Sequence, residues 1–336
     1  MSTVGSAACR LRLLADAQLS RAIGVAATLG LADHMTDGPQ PPDVLAKLTG
    51  CDPGALRRML RYLAFAGVFG ETDGCYGLTP MARLLRSDEP GSLRPELSVT
   101  ADDRAAWWST GELLHTVRTG QPAYDHVYGM SFWDAVRARG AASTRFQAAM
   151  AQSLNGLADD LAERYDWSGV ATLADLGGGQ GTVLARLLSA LPRLRGILVD
   201  LPSVTAAAPA VLAGAGVADR CSVIPGDLLE QVPAGADRYL MLRVLHDWPD
   251  AAAGIMLAHC RAACGDDGRL VVIDMEVGGQ DAAGESLASD VMMMLLVGGR
   301  ERTRAEFTGL LDEAGFAVSR VIGLRPPYIA IEATPV

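Results

Sequence analysis

A series of acids and one histidine stand at the ends of apolar runs, where their types would suit a nucleoside bound beside a base. Asp175 lies in the run LADL and is followed by glycines at 177, 179 and 181. Asp200 ends ILVD, Asp227 follows CSVIPG, and Arg243, His246, Asp247 and Trp248 follow YLML. Glycines permit the tight turn and close backbone approach needed where a nucleotide-like group lies over a strand-to-helix turn. The spacing G-x-G-x-G is one residue shorter than the dinucleotide fingerprint, with Thr182 where that fingerprint has its third glycine. No Lys or Arg flanks the loop, so backbone N–H groups alone would have to hold a phosphate. A cationic or phosphate-free nucleoside therefore fits better than NAD. Asp200, about 20 residues beyond the glycines, is placed to accept both ribose hydroxyls.

These residues need a scaffold that gathers strand ends along one edge. LADL, a strand in LRGILVDLPSV ending at Asp200, one in CSVIPGDLL ending in Gly226-Asp227, one in DRYLMLRVLHDWPD whose carboxyl end carries Arg243 to Trp248, and RLVVID read as strands, and TVLARLLSAL as a helix opening directly after the glycines. The alternation predicts an α/β domain over 166–336, a Rossmann-like, mostly parallel sheet with helices on both faces. Ligands of such sheets bind outside the carboxyl ends of the strands, so the acids and His246 should ring one crevice. Residues 1–100 read as helix, turn, helix and a short hairpin around Asp73-Gly74, a winged-helix pattern. Between them, residues 101–165 read as a helical connector holding Trp107, Trp108, Phe132, Trp133, Phe146 and Met150.

At these motifs the chain resembles the S-adenosylmethionine-dependent O-methyltransferases of the plant phenolic type and their bacterial natural-product relatives. The resemblance spans nearly the whole length and rests on DLGGGQG (175–181), DLP (200–202), GDLL (226–229), VLHDWPD (244–250) and GGRERTRAEFTGLLDEAGF (298–316). It implies S-adenosylmethionine as cofactor, with S-adenosylhomocysteine as product. Gly177 and Gly179 would approach the methionine part, Asp200 with Leu201 the ribose, and Asp227 the adenine amino group. Leu242 and Arg243 would lie along the cofactor. Leu228 departs from the aromatic residue many relatives place against adenine, so aliphatic packing would replace stacking. Trp133, in SFWDAV, matches an aromatic that bacterial relatives set against the cofactor. Met150, Met293, Trp248 and Asp247 are assigned to the acceptor. The resemblance also implies that the N-terminal module drives homodimerisation and closes over the partner's substrate pocket.

Methylating a hydroxyl requires a base near it. A phenol of pKa about 10 is only about one part in a thousand ionised at neutral pH, about 4 kcal/mol from its nucleophilic form. His246 is the candidate base, since an ordinary imidazole is mostly neutral at pH 7 and a positioned base contributes roughly 10²- to 10⁴-fold. Holding oxygen, methyl carbon and sulfur in line adds as much as about 7–11 kcal/mol, with no metal required. A carboxylate beside His246 would fix its tautomer and stabilise the imidazolium. Asp274, ending RLVVID, and Glu301, in GGRERT, match family positions flanking the catalytic histidine. Asp247, next in sequence, is the runner-up for that role, expected to point the other way or to cap the following helix.

Bulk properties suit a globular enzyme acting on a small aromatic molecule: 336 residues, 49% hydrophobic, 20% charged, net charge −10. The acidic balance opposes nucleic-acid binding. The first 98 residues hold ten basic and ten acidic side chains, so the winged-helix pattern lacks the basic excess of a DNA reader. Six cysteines without C-x-x-C, including Cys260 and Cys264 one helical turn apart, make a poor zinc site and imply reduced thiols in the cytoplasm. Neither a signal peptide nor a membrane span is expected. The competing readings are N- or C-methylation, non-methylating chemistry (hydroxylation or pericyclic) on the same cofactor, and a DNA-binding regulator.

Overall fold

The apolar runs form the parallel strands of one seven-stranded sheet. In chain order these are β3 (Thr172–Leu176), β4 (Arg195–Asp200), β5 (Cys221–Pro225), β6 (Arg238–Leu242) and β7 (Arg269–Met275), followed by β8 (Phe316–Gly323) and β9 (Tyr328–Pro335). The spatial order is β5-β4-β3-β6-β7-β9-β8. β9 pairs antiparallel with both of its neighbours, and the remaining pairings are parallel. The computed structural model describes residues 11, 15–98, 111–139, 154–278 and 284–336. It divides into two compact units, Met1–Arg104 and Ala105–Val336, so all but the first four residues of the expected connector fall in the second unit.

In the first unit, α1 (Ala17–Leu29), α2 (Pro42–Thr49) and α3 (Pro53–Phe65) precede the hairpin of β1 (Phe69–Thr72) and β2 (Cys75–Leu78). Asp52 caps α3 by accepting from the Ala55 N–H at 2.7 Å, and Pro53 supplies the first-turn φ that a helix wants. The hairpin turns at Asp73 and Gly74, both at positive φ, as an Asp-Gly two-residue turn requires. Leu31, Leu45, Leu60 and Leu63 lie in its core, while Phe65, Leu48 and Met81 are exposed.

The second unit opens with α4 (Leu113–Thr119), α5 (Ala123–Tyr128), α6 (Phe132–Arg139) and α7 (Asn155–Arg164). Around the sheet lie α8 (Thr182–Ala190), α9 (Ala208–Gly214), α10 (Asp250–Cys264), α11 (Gly284–Leu296) and α12 (Arg304–Glu313). Two apolar layers sandwich the strands, one holding Met241, Val272 and Leu257, the other Leu240, Val271 and Leu184. Alternating side chains of β6 and β7 thus enter opposite layers, as burial on both faces demands. From β3 the chain first builds outward through β4 and β5, then returns to the other side with β6. The strand order therefore reverses between β3 and β6, and it is at the carboxyl ends of the strands flanking such a switch point that ligands of open α/β sheets bind. The terminal β8–β9 pair was not anticipated. Its run is interrupted by the cis Pro326–Pro327 turn and carries Glu332 inside a buried strand. Among the described residues no helix is long and apolar enough to cross a membrane.

Candidate active site

On the crevice's glycine side, β3 delivers Asp175 to a buried position and the chain then turns through Gly177, Gly179 and Gly181, all at positive φ. A methyl on Gly177 would lie 2.7 Å from Val244 Cγ2, so the turn packs against the loop after β6 and tolerates no side chain. Asp200 Oδ2 accepts from the Gly179 N–H and Oδ1 from the Leu201 N–H, each at 2.7 Å. Burial raises the Asp200 pKa, although those two amides oppose the rise. Burial and the nearby Asp200 carboxylate push Asp175 up to about 7. Asp227 Oδ1 accepts from Leu229 N–H at 2.9 Å, and its Oδ2 lies 3.3 Å from Arg137 of α6.

The other side carries the histidine. After β6, Arg243 adopts φ 56° with its N–H pinned to the Ile273 carbonyl at 2.8 Å, a left-handed kink that a non-glycine residue adopts only under constraint. A short turn over Leu245–Asp247 then presents His246, 3% exposed. Glu301 Oε1 lies 3.2 Å from His246 Nδ1, an ion-pair distance without the alignment of a hydrogen bond. That same oxygen accepts from Arg243 Nη1 at 2.7 Å and from Ser289 Oγ at 2.6 Å. On the opposite side of the ring, Asp247 Oδ1 is 3.4 Å from Nε2. Asp247 thus turns toward the histidine, contrary to expectation, and it does not cap α10, whose N-cap is Pro249. The kink at Arg243 and the tight turn reverse the side-chain alternation assumed for a strand end.

Electrostatics in this cluster are set by competition. Burial alone would depress the His246 pKa, but Asp247, Glu301 and Asp274 outweigh burial and the Arg243 charge, so it is raised above its ordinary value. Glu301 is drawn down to about 2, because His246, Arg243 and Ser289 overcome the burial that would raise it. Asp274, 1% exposed with neither oxygen hydrogen-bonded, is pushed up to about 7 by burial despite His246 and Arg243. His246, Asp274 and Glu301 each place one potential ligand atom within 4.8 Å of the others. The fixed Arg243 guanidinium on Glu301 works against a second cation there, and the set suits proton handling.

Several contributors escaped sequence reasoning. Ser289 and Asp290 of α11 fix Glu301, the first through its carboxylate and the second by accepting the Glu301 N–H at 2.9 Å. Gly299 lets the 298–302 segment press on the histidine loop: a methyl there would overlap the carbonyl of His246 and the backbone of Asp247. The Arg300 N–H donates to the His246 carbonyl at 2.9 Å. The paired glycines ahead of RERT were the available signal.

Of the remaining expected residues, Leu242 and Leu228 are buried in the two apolar layers. The Arg243 side chain donates to Glu301 and Ser289. Trp133 stacks on Trp248 with ring centroids 5.9 Å apart, and its Nε1 is buried without a partner. Met293 is half-buried on α11 beside Met292, which packs on the Tyr124 cluster. Met150 lies outside the described residues. Cys260 and Cys264 are free, buried thiols, and His259 Nδ1 meets the Leu228 carbonyl at 3.1 Å.

Residues 110–317 match the O-methyltransferase domain family, and residues 11–88 the O-methyltransferase dimerisation domain. The chain belongs to the S-adenosylmethionine-dependent O-methyltransferases. This methyltransferase is 36% identical to the phenazine O-methyltransferase of Lysobacter antibioticus over 97% of its own length and 95% of the relative's. It is 39% identical to the mitomycin biosynthesis 6-O-methyltransferase of Streptomyces lavendulae, over 92% and 88%. An O-methyltransferase from neocarzinostatin biosynthesis, solved with S-adenosylmethionine and 2-hydroxy-5-methyl naphthoic acid, superposes with a TM-score of 0.85 at 34% identity, covering 97% of this chain and 98% of that one. Relatives of similar identity include an N,N-dimethyltransferase of 8-amino-8-demethylriboflavin from Streptomyces davaonensis (37%; 93% of this chain, 89% of the relative) and the aclacinomycin 10-hydroxylase of Streptomyces purpurascens (36%; 92% and 84%). The cofactor is S-adenosylmethionine, and the glycine side fits it. The side-chain-free turn, the partly exposed acids Asp200 and Asp227 and the unpartnered Trp133 Nε1 suit a ligand with hydroxyls and a positive charge.

Proposed function

We propose that this methyltransferase acts on a phenolic hydroxyl of a small aromatic natural product, with His246 as general base. The observation that carries the reading is the buried imidazole set between Glu301 at Nδ1 and Asp247 at Nε2. Glu301 keeps the proton on Nδ1, which leaves the Nε2 lone pair to take the proton of the acceptor hydroxyl. As the ring becomes imidazolium, Glu301 stabilises the new charge, while Arg243 and Ser289 keep that carboxylate ionised and still. Asp274 adds negative potential behind the ring. Gly177, Gly179, Asp200 with Leu201, and Asp227 would hold the cofactor, with Trp133 and Leu228 beside it and Leu242 and Arg243 contributing backbone. When bound, S-adenosylmethionine supplies an electrophilic methyl group on a sulfonium sulfur.

Trp248, Met293, Met150 and Asp247 are the proposed acceptor contacts. The aromatic acceptor is supported by the naphthoate bound to a structural relative. Nitrogen methylation is the second reading, favoured by the N,N-dimethyltransferase among the relatives. A homodimer is supported by the dimerisation domain and by the apolar side chains exposed on the first unit. Calorimetry with S-adenosylhomocysteine, followed by a screen of hydroxylated and aminated aromatics with labelled methyl donor, tests the reading. Label in an aryl methyl ether supports it; label on nitrogen alone overturns it.

A further inference from the structure

We propose that Arg302 is a positioning residue for His246, acting through the backbone of the loop that carries the imidazole. The proposal rests on the general-base reading of His246. Arg302 is 1% exposed, an unusual place for a guanidinium, and its donors are spent on that loop. Nη1 donates to the Leu245 carbonyl at 2.8 Å and Nη2 to the Trp248 carbonyl at 2.9 Å, bracketing His246 in sequence. Nε and Nη2 also grip Asp250 Oδ1 at 3.0 and 2.7 Å, fixing the start of α10. A planar fork can serve two carbonyls and a carboxylate at once, whereas an ammonium is a single point of charge.

The backbone of Arg302 is anchored in turn: its carbonyl accepts from the Val277 N–H at 3.1 Å, just beyond the strand that ends near Asp274. Glu301 and Arg302, adjacent in sequence, thus address one imidazole from two sides. Glu301 meets its Nδ1, and Arg302 sets the height of the turn from which it projects. Simple pairing of Arg302 with Asp250 would account for neither carbonyl contact.

The test is NMR titration of His246, identified by the signal missing in His246→Ala, in the full-length wild type, Arg302→Lys and Asp250→Ala. In Arg302→Lys the His246 midpoint should move toward the ordinary imidazole value, an about 3- to 10-fold loss of proton affinity, as the ring leaves its carboxylates. The other four histidines and S-adenosylhomocysteine affinity should hold. Asp250 is itself exposed and its loss leaves both carbonyl contacts of Arg302 available, so Asp250→Ala serves as the second variant; it should give a smaller shift in the same direction. Lysine should also lower kcat by about 10²-fold with little change in cofactor KM, as expected for an about 1 Å misplacement. A His246 titration identical to wild type in both variants overturns the proposal. Failure of the underlying reading looks different, since His246→Ala would then keep full turnover.

Discussion

Around the glycine loop, polar side chains are held by amides beside them or one strand away. Asp200 takes the N–H of Leu201 and Gly179, and Asp227 that of Leu229, with one longer contact, Arg137 to Asp227 at 3.3 Å, coming from 90 residues away. Around His246 the partners come from far along the chain: Arg243 reaches Glu301 across 58 residues and Ser289 across 46. Asp200 and Asp227 of the first region stay partly exposed, as a site that must admit and release a cofactor requires. The second is packed and cross-linked, as a base whose proton must be caught at one angle requires. Binding is thus assembled from local turns and chemistry from long-range contacts, and the two should fail separately.

The sharpest separation is expected in His246→Ala. It should lower turnover by about 10²- to 10⁴-fold, the contribution of a positioned base, and leave S-adenosylhomocysteine affinity nearly intact. Calorimetry and single-turnover rates on the same sample decide; loss of both together would break the division. Next is Gly299→Ala. Its methyl group overlaps the histidine loop, so the loop must shift and kcat should fall about 10²-fold, again with binding retained. Asp200→Asn probes the other region: loss of a charged acceptor should weaken cofactor binding about 10- to 100-fold, read as Kd, with smaller effect on turnover at saturation.

This division also governs what could be read from sequence. Asp175, Asp200 and Asp227 were legible because each follows an apolar run whose end lies at the crevice, and strand order does the rest. His246 was legible for the same reason, and Glu301 through the GGRERT motif. Arg302, Ser289 and Gly299 were not, because their roles exist only once 298–302 is folded against 245–250. Asp247 was misjudged since strand alternation does not continue through the left-handed kink at Arg243. The β8–β9 pair went unread because the pairing of β9 with β7 is set by a neighbour 53 to 63 residues upstream rather than by a local turn alone.

The smallest expected effect is in pH dependence. With its pKa raised by three carboxylates, His246 is neutral only above that value, so kcat/KM should rise with pH along a limb centred above the ordinary imidazole pKa of about 6.5. Glu301→Gln removes one of those charges and destabilises the imidazolium. Its limb should therefore move to lower pH even as the plateau falls, and a limb moving upward would contradict the arrangement at Nδ1.

The most direct measurement is the single-turnover rate of methyl transfer to a hydroxylated aromatic acceptor at saturating S-adenosylmethionine, wild type against His246→Ala. The account predicts a drop of about 10²-fold or more at neutral pH, shrinking for acceptors whose hydroxyl is already ionised. Equal rates for the two proteins would contradict it.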